Sequence, residues 1–393
     1  MDRSHDVVIV GGGNAGISLA ARLRRLGLDD VAIVAPGPVH RYRPLLNYVA
    51  GGQADLDRLT KPQREVIPDG CVWIQDRAAA VDESRNQVEL EGGERVGYAD
   101  LVLAPGLEHD LHAILGLEAS MHDGWSTTAH LSATAESTWT AIQRTRRGKV
   151  VFTIPPEPAP CGGTALKPLF MACDHWRREG VLPDIDVHLV SPYSEILDVP
   201  SVENHLRRGV ERFDVTVRHR ATVATMDPAT RTITLDSNGV DEIISDVEQA
   251  FVVPHYRAPR WLAPLAGDQS AGLVDVDPRT LRHRRLDRVW SLGDAAAVDT
   301  RPSGGALRRQ VDVLADNIRR SRSGETLREY DGYTIIPITL DRRRLLLAEF
   351  DRDGNPQPTV SFVDLTAPRR VLWAFDRYLE PIVYYRGLLK GRV

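Results

Sequence analysis

The chain holds three cysteines in 393 residues, an odd number, so no disulfide framework is expected to staple it. It has no apolar run approaching the roughly 18–20 residues that span a bilayer. Its formal net charge of -5 leaves no basic footprint for a nucleic acid. The first residues, Met1 to His5, carry neither the cationic start nor the long apolar core of a signal peptide. The reducing cytoplasm is therefore the expected compartment, with attachment to the inner face of a membrane left open. No metal site is expected, and the oligomeric state is not readable. What is present is ordinary for a globular protein: 42% hydrophobic and 26% charged residues, in a length that accommodates two or three domains.

Val7-Val8-Ile9-Val10 is a short apolar run of the kind found in a buried parallel strand. Gly11-Gly12-Gly13-Asn14-Ala15-Gly16 follows at once, then a helical pattern from Ile17 to Leu26. Gly11, Gly13 and Gly16 fit G-x-G-x-x-G in the strand–turn–helix setting the motif requires. The glycines allow a tight turn, close backbone approach to a pyrophosphate and close helix–sheet packing, while the helix N-terminus faces the phosphate charge. The next strand, Val31 to Val34, should end in the acid that accepts hydrogen bonds from the adenosine ribose, yet Ala35-Pro36 stands there. Loss of one charge-assisted bond costs roughly 1.5–3 kcal/mol, which weakens such a site without abolishing it. Two later strands end in Ala104-Pro105-Gly106 and in Gly293-Asp294. In two-dinucleotide flavoproteins these places flank FAD, so FAD is the expected cofactor, held by Gly11, Gly13, Asn14, Ala15, Gly16, Ala35, Ala104, Gly106, Gly293 and Asp294.

A second Gly-rich loop for NAD(P)H is missing. Val150 to Ile154 reads as a buried strand, but Pro155-Pro156-Glu157-Pro158-Ala159-Pro160-Cys161-Gly162-Gly163 follows it, just before a helix expected over Lys167–Glu179. Cys161 stands where a pyrophosphate cradle would be. A helix N-terminus carries about half a positive charge and lowers a thiol pKa, and Lys167 is placed to add to that field. Cys173 shares a helical face with Leu166, Leu169 and Phe170 and reads as core. Cys71 reads as structural, on a strand beside Val72.

The expected architecture is α/β. Residues 1–110 and 255–325 form a discontinuous FAD domain, and 111–254 a second Rossmann-like domain carrying Cys161. Arg218–Val223 and Thr230–Leu235 read as a meander in that second domain. Residues 326–393 form a C-terminal unit. It holds a strand pair around Tyr333–Thr339 and Arg344–Phe350, and an amphipathic tail from Arg369 to Leu389. Val371, Phe375, Tyr378, Leu379, Ile382 and Leu389 make the tail's apolar side, suited either to a membrane surface or to the protein body.

Together the segments His40–Leu45, Pro160–Gly163, Leu273–Asp277, Leu281–Arg285, Gly293-Asp294, Tyr330–Thr334 and Leu347–Asp351 resemble the sulfide:quinone oxidoreductase family, in particular the branch of the mitochondrial enzyme. The resemblance covers nearly the whole chain. It implies a cysteine pair beside the flavin. Sulfide opens the oxidised bridge and leaves a persulfide on one cysteine, the other passes two electrons to the flavin, and a quinone removes them from the opposite side. Cys161 matches the first cysteine of that pair, but Ile336 occupies the position of the second. Pro302 and Ala295 replace a lysine and a cysteine often found in relatives.

Three readings follow. The first is two-electron oxidation of sulfide, a thiol or a persulfide through Cys161 alone, with electrons passed to a quinone or another acceptor. The second is the same flavin scaffold acting on another small substrate after losing sulfide turnover. The third is a non-catalytic flavin-binding protein. An NADH dehydrogenase is disfavoured because nothing after Ile154 supplies the glycine spacing.

Overall fold

The computed structural model describes residues 3–392. Val7 to Val10 are buried and sit mid-sheet, paired in parallel with Val31–Val34 on one side and with Arg95–Leu103 on the other. That burial on both faces is why the run is uninterrupted valine and isoleucine. The sheet has seven strands, in the order Val72–Ile74, Val31–Val34, Arg3–Val10, Arg95–Leu103, Gln87–Leu90 and Ala78–Asp82. Its seventh strand, Val289–Ser291, arrives from far along the sequence and pairs in parallel with Leu101 to Leu103. The fully buried Asp100 carboxylate fixes this return: it accepts from Trp290 Nε1 at 3.1 Å, Arg288 at 3.3 Å and Arg322 Nε at 2.8 Å.

A second sheet holds five parallel strands, Ser126–Thr127, Val247–Phe251, Gly148–Thr153, Ile185–Val190 and Val215–Arg218. The expected two-stranded meander is instead a three-stranded antiparallel sheet, Ala221–Asp227, Thr232–Ser237 and Val240–Ile244. The third strand was hidden because its exposed, acid-rich sequence lacks the apolar alternation that marks a half-buried strand. Cys71 precedes the strand Val72–Ile74 rather than lying on it. Cys173 is fully buried with Leu166, Leu169 and Phe170 on the helix Leu166–Arg178.

The C-terminal unit contains the antiparallel pair Thr334–Thr339 and Leu345–Phe350, then a broken helix. Its middle turn, Phe375–Leu379, is wound as a π-helix. This turn aims Asp376 and Arg377 inward. Lys167, 1% exposed, donates to Asp376 at 2.7 Å; Tyr48 donates to the same oxygen at 2.5 Å, and Arg377 donates twice to the Gln53 carbonyl. The apolar side expected of the tail is thereby split. Leu389 is buried, whereas Val371, Phe375, Tyr378, Leu379 and Ile382 face outward. The buried polar anchor decides the register, so those side chains are turned away from the body.

Breaking one partner of a buried pair leaves an uncompensated charge and costs about 3–5 kcal/mol. Asp376→Ala is therefore expected to lower the unfolding free energy by that amount, with a matching fall in the denaturation midpoint, and to expose the tail to protease. The apolar double replacement Lys167→Met with Asp376→Leu should recover much of the loss. A midpoint unchanged in Asp376→Ala would show that the pair does not anchor the tail.

Candidate functional site

The glycine loop is shaped by what cannot fit in it. A methyl group on Gly11 would overlap the Ala104 carbonyl, and one on Gly16 would overlap the carbonyl of Gly11. Gly11 also has φ of +126°, a left-handed value that favours glycine. At Gly13 nothing lies within 4 Å of that position, so the loop opens there just before the helix Asn14–Arg25. The cavity in front of it is about 380 Å³ and runs from Gly12, Gly13 and Ala35 past Arg41 and Arg43 to His109 and His130. Among the described residues, no carboxylate lines it. Backbone N–H groups at a helix start and guanidinium groups suit a pyrophosphate-bearing dinucleotide, so the residues present fit one.

Cys161 enters from the second sheet. The strand Gly148–Thr153 ends beside it, and Cys161 adopts φ of 49°, a left-handed conformation rare outside glycine, ahead of the 3₁₀ turn Gly162–Ala165. Its N–H donates to the Pro302 carbonyl at 2.9 Å. The segment just after Pro302 joins the two halves of the site. The Gly304 carbonyl accepts from Asn14 Nδ2 at 3.4 Å, while the Gly304 N–H approaches the Cys161 thiol. Gly293, at φ +74°, brings the Gly293-Asp294 turn against Ala15, with a methyl on Gly293 falling 3.1 Å from the Ala15 side chain. Gly106 lies beyond Ala104, with nothing within 4 Å of a methyl placed on it. The sequence-selected residues Gly11, Gly13, Asn14, Ala15, Gly16, Ala35, Ala104, Gly106, Cys161, Gly293 and Asp294 thus come from chain segments that converge on one end of the first sheet.

The electrostatics of Cys161 correct the sequence expectation. Burial pushes its thiol up to about 12; the Gly304 N–H opposes the rise, Asp294 adds to it, and Lys167 opposes it more weakly. Two structural facts explain why the lowering fields lose. A 3₁₀ turn, Gly162–Ala165, separates the cysteine from the α-helix that begins at Leu166, and a helix field falls off within the first turn. Lys167 is committed to Asp376 rather than folded back toward sulfur. Asp294 is raised by burial, with the Arg43 guanidinium pulling the other way.

Position 336 lies against the same turn. A methyl on Gly163 would fall 2.7 Å from Ile336 Cγ2 and 3.0 Å from Leu197, so the absent side chain of Gly163 accommodates the isoleucine. Ile336 is 1% exposed and carries no group that exchanges electrons.

Three residues at the cavity, His130, His109 and Gln63, escaped sequence reading. His130 donates or accepts at Nδ1 with the Tyr256 hydroxyl, 2.8 Å away, and its buried Nε2 has no partner among the described residues. His109 packs on the Tyr256 ring at 4.8 Å and meets Arg43 at 3.4 Å. Burial, with Arg43 close by, lowers His109 to about 4 and His130 to about 3, so both imidazoles are neutral at pH 7. Gln63 donates to the Gly12 carbonyl at 2.9 Å. No motif marks these residues, because they come from short elements and turns far apart in sequence that only the fold unites.

The pyridine nucleotide-disulphide oxidoreductase family profile matches residues 5–150. The mitochondrial sulfide:quinone oxidoreductase of Mus musculus is 29% identical over 392 residues, covering 98% of this chain and 87% of the relative. Among solved structures, that of the sulfide:quinone oxidoreductase from Aquifex aeolicus superposes with a TM-score of 0.78 at 16% identity, covering 99% of this chain and 91% of the other. A chain of the Tetrahymena thermophila mitochondrial ATP synthase reaches a TM-score of 0.83 at 18% identity, covering 100% and 97%. These two likenesses show the fold. With the full-length match, the dinucleotide loop and the seven-stranded sheet in place, the chain is a flavin-dependent oxidoreductase similar over its whole length to the sulfide:quinone oxidoreductases.

Proposed function

We propose that the protein binds FAD and takes two electrons from sulfide, a thiol or a persulfide through Cys161, handing them to a quinone or another acceptor. The observation that carries this is the Pro302–Gly304 segment: the Pro302 carbonyl accepts from the Cys161 N–H at 2.9 Å and the Gly304 carbonyl accepts from Asn14 of the dinucleotide loop. One thiol is thus built into the wall of the nucleotide site. A bound flavin supplies the two-electron chemistry that no side chain has. The Gly11–Gly16 loop holds the pyrophosphate, and Arg43 sets the positive potential of the inner cavity among neutral imidazoles. Cys161 rests as a neutral thiol, so a proton has to leave it before sulfur becomes nucleophilic. Ile336 forms no bridge, and an external thiol or persulfide supplies the second sulfur.

A second reading has its own support. The raised thiol and the sealed position 336 both fit a scaffold acting on another small substrate, with Cys161 as a bystander.

The exposed Val371, Phe375, Tyr378, Leu379, Ile382 and Val383 form an outward apolar side on the tail. No helix among the described residues is long and apolar enough to cross a membrane. We read this side as a peripheral contact with a lipid surface, where a lipid-soluble quinone is met.

Anaerobic sulfide or glutathione persulfide is expected to bleach the flavin or raise a long-wavelength band in wild type, and Cys161→Ala should abolish the response. Identical spectra in both proteins would favour the bystander reading. In Ile336→Cys, sulfide should reduce the flavin faster than in wild type. Alkylation of Cys161 should be slow at pH 7 and rise about tenfold per pH unit through pH 9.5, since only the thiolate reacts; a plateau near pH 8 would show that its pKa is not raised. Finally, Leu379→Glu with Ile382→Glu should remove co-flotation with anionic lipid vesicles while leaving flavin content intact. Equal flotation of both proteins would rule out this surface.

A further inference from the structure

The strand Val31–Val34 ends in Ala35, so the dinucleotide site lacks the carboxylate that ordinarily accepts from the adenosine ribose. The surroundings of Ala35 show what has filled the gap. Its carbonyl is bound by Trp73 Nε1 at 3.0 Å, and its N–H donates to Ile74. The main chain of Gln63 is tied to the same turn, its N–H donating to the Pro38 carbonyl at 2.7 Å. The Gln63 side chain is 3% exposed and lies alongside the Ala35 methyl: a methyl on Gly12 would fall 2.6 Å from both Ala35 Cβ and Gln63 Nε2. Gln63 Nε2 donates to the Gly12 carbonyl at 2.9 Å. His40 Nδ1 reaches that same carbonyl at 3.2 Å and takes the Tyr384 hydroxyl at Nε2, 2.7 Å away.

A primary amide has two N–H donors and one oxygen with two lone pairs. One donor is used on Gly12, and the amide also meets the His40 ring; an oxygen with two lone pairs still has one for a ribose hydroxyl in a cavity that Gln63 and Ala35 line together and whose charged residues are arginines. Ribose hydroxyls need an acceptor. A carboxylate at 63 would accept but could not donate to Gly12, whereas the amide does both.

We propose that Gln63 replaces the missing acid and reads the adenosine ribose of the dinucleotide while bracing the glycine loop. This inference rests on the FAD reading above and names the residue that completes its adenosine end. In chemical terms, the site recognises a ribose hydroxyl through a neutral amide at the start of the short helix Gln63–Val66 rather than through a carboxylate at the strand end.

The test is FAD affinity, read from flavin fluorescence, against an FAD analogue built on 2′-deoxyadenosine. Wild type is expected to bind the analogue about tenfold more weakly, the range of one hydrogen bond. Gln63→Leu should bind FAD about tenfold more weakly than wild type and no longer distinguish the two flavins. Gln63→Glu, which keeps an acceptor, should retain the discrimination, and Ala35→Glu in the Gln63→Leu background should restore it. If Gln63→Leu weakens both flavins equally and keeps the discrimination, Gln63 only braces Gly12 and the proposal fails. It also fails if Gln63→Leu binds both as wild type does. Absence of any flavin binding by folded wild-type protein would instead overturn the FAD reading, and this inference with it.

Discussion

The Ala104 carbonyl occupies the space that a side chain on Gly11 would need, and the rest of the site is arranged around that contact. It is possible only because Val7 to Val10 and Arg95–Leu103 run side by side in register, Val10 opposite Leu103. Once the two strand ends are this close, the loop must turn at Gly11 and leave again at Gly13. The helix Asn14–Arg25 then points its first residues at the Gly293-Asp294 turn, brought in by Val289–Ser291 on the far edge of Arg95–Leu103. Backbone proximity, rather than any reactive side chain, thus sets where a nucleotide can lie. Asp100 keeps the arrangement closed from below by satisfying Trp290, Arg288 and Arg322 at once. Removing that carboxylate would leave the buried Trp290 N–H unpaired and free two half-buried guanidinium groups.

Charge in the inner cavity is simpler than its residue list implies. Two histidines stand beside Arg43, but burial and the guanidinium keep both neutral at pH 7. The positive potential there comes from Arg43, and Asp294 feels it as a downward pull against its own burial. A 3₁₀ turn stands between Cys161 and the α-helix, and the Lys167 ammonium group is held by Asp376. The same tail that supplies Asp376 therefore weakens the field at the cysteine. Tail anchoring and thiol chemistry are coupled through a single lysine.

Most of the dinucleotide scaffold was legible in the sequence because its requirements are local. A buried parallel strand needs an apolar run, and a backbone-lined phosphate loop needs glycines at fixed offsets; Val7 to Gly16 shows both. The Tyr333–Thr339 and Arg344–Phe350 strand pair was legible for the same reason. What was not legible depends on distant partners. The inward turn of Asp376 and Arg377 follows from Lys167, Tyr48 and the Gln53 carbonyl, none of which neighbours the tail in sequence. The rise of the Cys161 thiol follows from how densely the 300s segment and the second sheet enclose it, which spacing does not reveal. His109 sits on a three-residue strand, Gln63 at the start of a four-residue helix and His130 in a turn, elements too short to carry a pattern of their own.

Ile336 bears on whether one cysteine is enough. The hairpin Thr334–Thr339 and Leu345–Phe350 places position 336 against Gly163, two residues from Cys161, and the missing side chain at 163 makes room for the larger isoleucine. The contact between the two segments is therefore preserved while the sulfur on one side of it is gone. An isoleucine packed at 1% exposure stabilises the hairpin by apolar burial, a gain that a cysteine of smaller volume would only partly match. It also fills the volume beside the turn, so any second sulfur has to reach Cys161 from a direction other than residue 336. The partly exposed side of Cys161 is the remaining route, and the two-electron step then depends on a mobile partner whose sulfur is supplied in trans. A thiol held neutral by burial suits that arrangement, because it stays unreactive until a partner arrives and its proton is removed.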